Sequence, residues 1–439
     1  GLRTYQATLQ GVREVSGALF SSTLTSVAIF LPILFMVGVE GQLFKDLAIT
    51  LTTAVSFSLV TAMTILPAVS LRMAGKDVIG LGAGEPDFDT PEHIKAAGIE
   101  AIRSGFTRYT AVDGTPGLKK AIIAKFRRDN GLEFGADQVI ASNGAKQSLY
   151  NLLVATLNSD DEVIVPAPYC VSYPDMVKLA DGQPVILATS AENDFKISAR
   201  QLQNSLTENT RMVILNSPSN PTGKVYSESE YREIGEVLAE HPKVLVACDD
   251  IYEFIYWGEG PFRTFLNACP GMAERTAVIN GVSKGYAMTG WRIGFLAGPT
   301  DLVKAMRKVQ SQSTSCPGSV SQAAAVAALN GPQECVETMR DAFRERYEFM
   351  HAALNELPGV SCATCDGAFY AFPSFQAFID EHASIRDDVE LAEWFLEEAG
   401  VATVPGSAFG APGHLRLSYA AGMDYLEDAI TRMKTAMGG

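Results

Sequence analysis

A chain of 439 residues is too long for one small hydrophobic core, so more than one folding unit is expected. Charged residues make up 19% and hydrophobic ones 47%, a soluble-enzyme balance tilted slightly apolar. The formal charge of −15 argues against nucleic acid as a partner, because phosphate backbones select basic surfaces, but a local cluster of Lys and Arg can still hold a small anion. The seven cysteines are odd in number and scattered, which predicts no disulfide framework and a reducing, cytoplasmic setting. The one CxxC pair, Cys362 and Cys365, has no second pair or neighbouring histidines at ligand spacing; it is read as packing, and no metal is expected.

The first elements in chain order are anomalous. Residues 15–39 and 47–71 are two windows of 25 residues without a charge, longer than the roughly 20 apolar residues that cross a bilayer as a helix. Both are rich in small residues that permit close helix packing, and the link EGQLFKD makes them a helical hairpin. Arg3, Arg13, Arg72 and Lys76 flank the hairpin, against Lys45 within the link, so both ends are expected to face the cytoplasm. Two buried core helices are the alternative, disfavoured because core helices seldom run so far without charge. The run REVSGALFSSTLTSVAIFLPILFMVGVEGQLFKDLAITL, followed by SLVTAMTILPAVS, resembles one transmembrane hairpin of a resistance-nodulation-division efflux permease. That resemblance stops near residue 73, without the permease's other helices, periplasmic domains or proton-relay carboxylates, so transport is not expected. The chain opens on Gly and changes character near Arg72–Gly75, which predicts a fusion or a fragment of something longer.

From Lys76 onward, short apolar runs alternate with amphipathic stretches, the pattern of an α/β fold with a largely parallel sheet. The predicted strands are 162–167, 211–217, 243–250, 276–283 and 291–298, with shorter ones at GAFYAFPS and around Arg416. Helices are predicted over Pro91–Ser104, Gly117–Asn130, Ala145–Leu157, Ser227–Glu240, Gln333–Leu357 and Val389–Ala399, with a closing helix near Tyr425–Met437. Ligands of open α/β sheets sit at the carboxyl ends of the strands. Asn216, Asn220, Asp249, Asp250, Ser283 and Lys284 all fall at such ends.

Within NGVSKGYAMTGWRIG, Lys284 follows an apolar strand directly, where an unpaired ammonium is costly. A surface lysine in a loop is the plainer reading, but Arg292 stands eight residues on in an equally apolar setting, and two cations at one strand end imply an anion between them. In ASNGAKQSL, small residues open a helix whose N–H groups at Gly144 and Ala145 can face a phosphate, although a helix start of this kind is common. Asp249 closes an apolar strand, and such a carboxylate can keep a pyridine nitrogen protonated. Tyr252 follows three residues later, and the turn NSPSNPTG delivers the Asn220 amide to the same region, unless it is a plain turn. Arg416, central in an apolar strand, calls for a bidentate carboxylate from protein or substrate.

Seven motifs stand in register: LGAGEPDFDTP, YTAVDGTPGLKKAI, PAPYCVSYPDM, NSPSNPTG, CDDIYE, SKGYAMTGWRIG and VPGSAFG…LRLSYA. Together they resemble the class I, fold type I pyridoxal-phosphate aminotransferases, closest to the bacterial aspartate aminotransferases, over residues 76–439. The resemblance implies that Lys284 forms the Schiff base with the cofactor, with Asp249 on the ring nitrogen and Tyr252 and Asn220 on the ring hydroxyl. It implies a phosphate site of Ser283, Arg292, Gly144, Ala145 and Lys146, which Tyr109 reaches from the neighbouring subunit of a homodimer. Arg416, Asn220 and the Gly84 backbone match the clamp on the substrate's α-carboxylate. The implied activity is ping-pong transamination between an L-amino acid, aspartate first, and 2-oxoglutarate, with aromatic, prephenate or alanine donors as rivals. A membrane-anchored fragment with impaired catalysis is the remaining alternative. A small domain of 76–106 and 301–439 and a large cofactor-binding domain of 107–300 are expected after the hairpin of 1–75, whose residues 15–71 supply any membrane contact.

Two departures from the family pattern stand out. Cys170 occupies the place where the subgroup usually has Trp, an indole that stacks on the cofactor and touches the substrate carboxylate. The family's own N-terminal segment, which helps close the site and embraces the partner subunit, is replaced by the apolar hairpin.

Overall fold

The computed structural model describes residues 77–438, so the expected hairpin of 15–71 lies outside the described residues. Among the described residues, no helix is long and apolar enough to cross a membrane.

A seven-stranded sheet in the order β2-β8-β7-β6-β5-β3-β4 forms the centre. Its strands are β2 (Val139–Ser142), β3 (Glu162–Ala167), β4 (Gln183–Ala188), β5 (Thr210–Asn216), β6 (Leu245–Asp249), β7 (Thr276–Gly281) and β8 (Gly294–Ala297). The strands from β4 to β7 pair in parallel, whereas β8 runs antiparallel to both β7 and β2. The central strands are apolar on both faces because helices cover both. Val163, Val165, Met212 and Ile214 pack under Leu149, Leu152 and Leu153 of the helix Ala145–Thr156 and Val303 and Met306 of Thr300–Ser313. The alternate residues Ile164, Val213, Leu215 and Val246 pack on the opposite face, against Tyr231, Ile234 and Leu238 of the helix Glu228–Ala239. This two-residue alternation is the period of an extended strand.

A second group of strands gathers residues from both ends of the described chain. The short pair β1 (Ile79–Gly80) and β10 (Val401–Ala402) is parallel, and β9 (Tyr370–Ala371), β11 (Val404–Pro405) and β12 (Leu415–Ser418) form an antiparallel sheet in the order β11-β12-β9. Helices Glu334–Asn355 and Met423–Ala436 seal it through Phe343, Met350, Leu354, Leu426 and Met433.

Most predicted elements are present, with three kinds of difference. The expected strand over 291–298 begins only at Gly294, because Thr289–Trp291 forms a short turn of 3-10 helix and Arg292 takes a left-handed backbone (φ 56°). The helix predicted over Gly117–Asn130 holds α geometry only for Pro116–Lys125 before widening through Phe126–Asn130, and the one predicted over Val389–Ala399 does the same after Trp394. Several elements escaped the pattern: β2, the half-exposed edge strand β4, and the helices Ser172–Leu179, Thr300–Ser313 and Ser319–Asn330. The last is Ala-rich and has little contrast between its faces, so periodicity could not reveal it. Cys362 and Cys365 are both buried with free thiols, as packing residues should be.

Candidate active site

Pairing of β5, β6 and β7 sets Asn216 beside Asp249 and Asp249 beside Ile279, so the carboxyl ends of these strands finish level with one another. The antiparallel return of β8 then matters. Gly281 pairs with Gly294, so the loop between them leaves and rejoins the sheet at one edge, and Lys284 and Arg292 stay at the same end. Gly294 also admits the start of the helix Ala145–Thr156, since a Cβ there would strike the backbone of Gly144 and Ala145.

The result is a cavity of ≈ 500 Å³ above the strand ends. It is lined by Gly84, Ala145, Lys146, Cys170, Asn220, Asp249, Tyr252, Ser283, Lys284, Arg292 and Arg416, which were expected to work together. Gly144 sits directly behind the lining with φ at 91°, and a Cβ on it would collide with the Arg292 guanidinium. Tyr109 is the exception: it lies outside the cavity and is 91% exposed.

Lys284 Nζ donates to the Gly84 carbonyl and lies 5.7 Å from the centre of the Tyr252 ring. Burial, helped by the guanidiniums of Arg416 and Arg292, brings the Lys284 ammonium down to about 8. Asp249 is held on one side only. Its Oδ2 accepts from the Tyr173 hydroxyl at 2.6 Å, and its buried Oδ1 has no partner among the described residues. Burial pushes the Asp249 carboxyl up, while the Tyr173 hydroxyl, the Ile251 backbone and Lys284 pull it back. Tyr252 shares a 2.9 Å hydrogen bond with Tyr370, and burial keeps its phenol protonated far above neutral pH.

Arg416 donates from Nη1 to Asn220 Oδ1 at 3.0 Å and from Nη2 to the Gly82 carbonyl at 2.9 Å, while its buried Nε has no partner among the described residues. Asn220 is oriented in turn by Asn216, whose side-chain oxygen accepts the Asn220 N–H at 2.8 Å and whose amide donates to the Asp249 carbonyl at 2.7 Å. Arg292 is steered by the Thr289 carbonyl at 3.0 Å toward the start of the helix Ala145–Thr156. Among the described residues no side chain caps that helix, and the N–H groups of a first turn have no intrahelical acceptor, so the turn presents donors with a positive dipole end.

Among the cavity residues not assigned from sequence, Asn216, Tyr173, Tyr370, Glu85 and Thr289 carry hydrogen bonds at the site. Asn216 was noticed only as a strand end. Tyr173 lies three residues after Cys170, one helical turn on, which was a usable signal. Tyr370, at the middle of GAFYAFPS, and the Glu85–Thr289 pair (2.8 Å) meet the site only through long-range folding.

Comparison with known proteins agrees with this geometry. The family model for aminotransferase class I and II matches residues 76–432, and that for the AcrB/AcrD/AcrF family matches residues 1–78. An aspartate/prephenate aminotransferase of Nitrosomonas europaea is 52% identical over 375 residues, covering 84% of this chain and 94% of that protein. An aspartate aminotransferase of Rhizobium meliloti is 48% identical, with 84% and 91% covered. The crystal structure of the aspartate aminotransferase from Rhizobium meliloti matches with a TM-score of 0.82 at 47% identity, covering 84% of this chain and 94% of that one. The Thermus thermophilus aspartate aminotransferase with maleate gives 0.80 at 40% identity, with 86% and 96% covered. Sequence motifs, fold and cavity therefore agree: this chain belongs to the class I and II aminotransferase family.

Proposed function

We propose that this chain moves an amino group from aspartate to 2-oxoglutarate in a ping-pong cycle, with pyridoxal phosphate as its cofactor. The observation that carries the proposal is the unpartnered Asp249 Oδ1, buried in the cavity that also holds the Lys284 amine. The residues present fit the cofactor. Asp249 Oδ1 is placed to accept from a protonated ring nitrogen, and Tyr252 and Asn220 would meet the ring hydroxyl. Ser283, Arg292 and the turn of Gly144, Ala145 and Lys146 would hold the phosphate on a helix N-terminus, an arrangement suited to anions. Cys170 would cover part of the ring, with less surface than an indole.

Pyridoxal phosphate, when bound, supplies an aldehyde that takes up the amino group and a ring that draws electrons from the α-carbon. The chain does the rest. Arg416, with Asn220 and the Gly84 backbone, grips the α-carboxylate and fixes which substituent faces Lys284. The lowered ammonium of Lys284 gives a fraction of free amine near neutral pH, able to take the α-proton and return it on the cofactor side. The lining carries Lys146, Lys284, Arg292 and Arg416 against Glu85 and Asp249, an excess of positive charge that suits a phosphate and a dicarboxylic substrate together. The relative named aspartate/prephenate aminotransferase, 52% identical, favours a second reading in which the same site also takes a prephenate-type partner.

In this proposal the working unit is a homodimer, in which the exposed Tyr109 serves the neighbour's phosphate site. Residues 107–300 act as the cofactor-binding domain, and 76–106 with 301–439 as the smaller one. The enzyme part faces the cytoplasm, supported by seven free thiols, and residues 15–71 give a membrane contact, supported by the AcrB/AcrD/AcrF match over 1–78. The test is a visible spectrum before and after adding aspartate. Conversion of the aldehyde form to the amine form, reversed by 2-oxoglutarate, is the expected result. Reversal by prephenate as well as by 2-oxoglutarate supports the second reading, and absence of any cofactor band overturns both.

A further inference from the structure

A second group of ionisable side chains lies behind β6, outside the cavity. Along one turn, Asp249 and Tyr252 line the cavity, whereas Asp250 and Glu253 do not. Glu253 is buried and pairs with Lys125, which is 0% exposed. Asn130 closes the triangle: its Oδ1 accepts from Lys125 Nζ at 2.7 Å, and its Nδ2 donates to Glu253 Oε2 at 2.8 Å. The same ammonium stands 4.8 Å from the centre of the Phe126 ring and 5.2 Å from that of Phe254. The positive charge of Lys125 is thereby committed to Glu253.

Asp250 is 1% exposed, and neither of its carboxyl oxygens has a hydrogen-bond partner or a paired cation among the described residues. The groups around it come from every packed element: Cys248 from β6, Glu253 from the turn, Thr264 ahead of the helix Phe265–Ala268, Tyr231 from the helix Glu228–Ala239, and Lys125. Burial keeps Tyr231 and Cys248 protonated, and the Thr264 hydroxyl lies beside Asp250 without meeting hydrogen-bond geometry. At Asp250 the like charge of Glu253 outweighs the pull of Lys125. A lone anion so placed is far more costly than its protonated form.

We propose that Asp250 is held as a neutral carboxylic acid by the closed Lys125–Glu253–Asn130 cluster, so that Asp249 can be the only negative charge at the carboxyl end of β6. Burial, with Glu253 and Asp249 as like charges, pushes the Asp250 carboxyl well above the usual carboxylate range. A second anion one residue from Asp249 would draw a proton onto Asp249 and remove the acceptor the cavity offers. This consequence for Asp249 rests on the proposed function, whereas the protonation of Asp250 does not. Asp250 acts as a positioning residue: it sets a charge and touches no reacting atom.

Infrared difference spectra of the full-length protein at neutral pH test the idea. The wild type should show the carbonyl stretch of a protonated carboxyl that Asp250→Asn lacks. Glu253→Gln, which frees the Lys125 ammonium, should lose that band as Asp250 ionises toward Lys125, and acid should restore it. No acid band in the wild-type difference overturns the proposal, and a band unchanged in Glu253→Gln overturns the part assigned to the cluster. Should Asp250→Asn fail to fold, wild type labelled with 13C-aspartate serves instead: absence of an isotope-shifted acid band is then decisive. In the holoenzyme, Asp250→Asn should move the titration of the visible band by less than about 0.3 pH unit, since one neutral group replaces another. A movement of about one unit means that an anion was removed and overturns the assignment. The infrared arm needs no cofactor, so its failure is distinct from failure of the aminotransferase reading.

Discussion

Lys125 and Lys284 stand on opposite sides of one strand end. Lys125 is 0% exposed and closes a triangle with Glu253 and Asn130, with two aromatic rings over the rest of its surface. Lys284 opens on the cavity, and its one hydrogen-bond partner among the described residues is a backbone carbonyl. The same chemical group is closed off where its charge is matched and left open to a ligand where it is not. Around Lys284 the unmatched atoms recur, as Asp249 Oδ1 and Arg416 Nε. Buried polar atoms in folded proteins are nearly always paired, so unpaired ones gathered in one cavity describe the shape of a ligand.

Four measurements sharpen or break this contrast. The largest effect belongs to Lys284→Ala, expected to lower kcat/KM by about 10⁴-fold or more with little change in folding, since in the proposed function its amine transfers the proton. Transamination at the wild-type rate in that variant would end the reading. Lys125→Met should do the converse: denaturant unfolding should show a loss of about 3–5 kcal/mol, because Glu253 is left buried without its cation. A stability near wild type would mean that the triangle is ornamental.

The third measurement uses pH. The Lys284 ammonium is brought down to about 8 in the folded chain, so below that pH the amine is protonated and cannot attack an aldehyde. Uptake of pyridoxal phosphate by cofactor-free protein should rise about tenfold per pH unit up to that point and then level off. A rise continuing toward the ordinary lysine value would show that burial does not depress the group. The smallest effect is expected for Tyr173→Phe, which removes one hydrogen bond from Asp249. A loss of about 1 kcal/mol in kcat/KM, roughly fivefold, should accompany an upward shift in the Asp249 carboxyl. No change in the pH profile would show that Asp249 does not depend on Tyr173.

The local pattern by itself determined the strands β3, β5, β6 and β7 as short continuous apolar runs, and the chemistry at the ends of the last three, because Asn, Asp or Lys directly after such a run departs sharply from what a buried strand tolerates. The order of seven motifs was enough to indicate aminotransferase ancestry, and the uncharged windows before residue 72 to mark the change of character there. Tertiary structure alone decided that β8 runs backward, bringing Arg292 to the same edge as Lys284, and that Tyr370 and Glu85 reach the cavity from far along the chain. The motif CDDIYE had already singled out Asp249; what only the fold decided is where its neighbour goes, since Asp249 lines the cavity and Asp250 does not. Composition and spacing say nothing of the surroundings of two adjacent aspartates. They differ only in which side of β6 they occupy, one beside an open cavity and the other beside an already neutralised lysine.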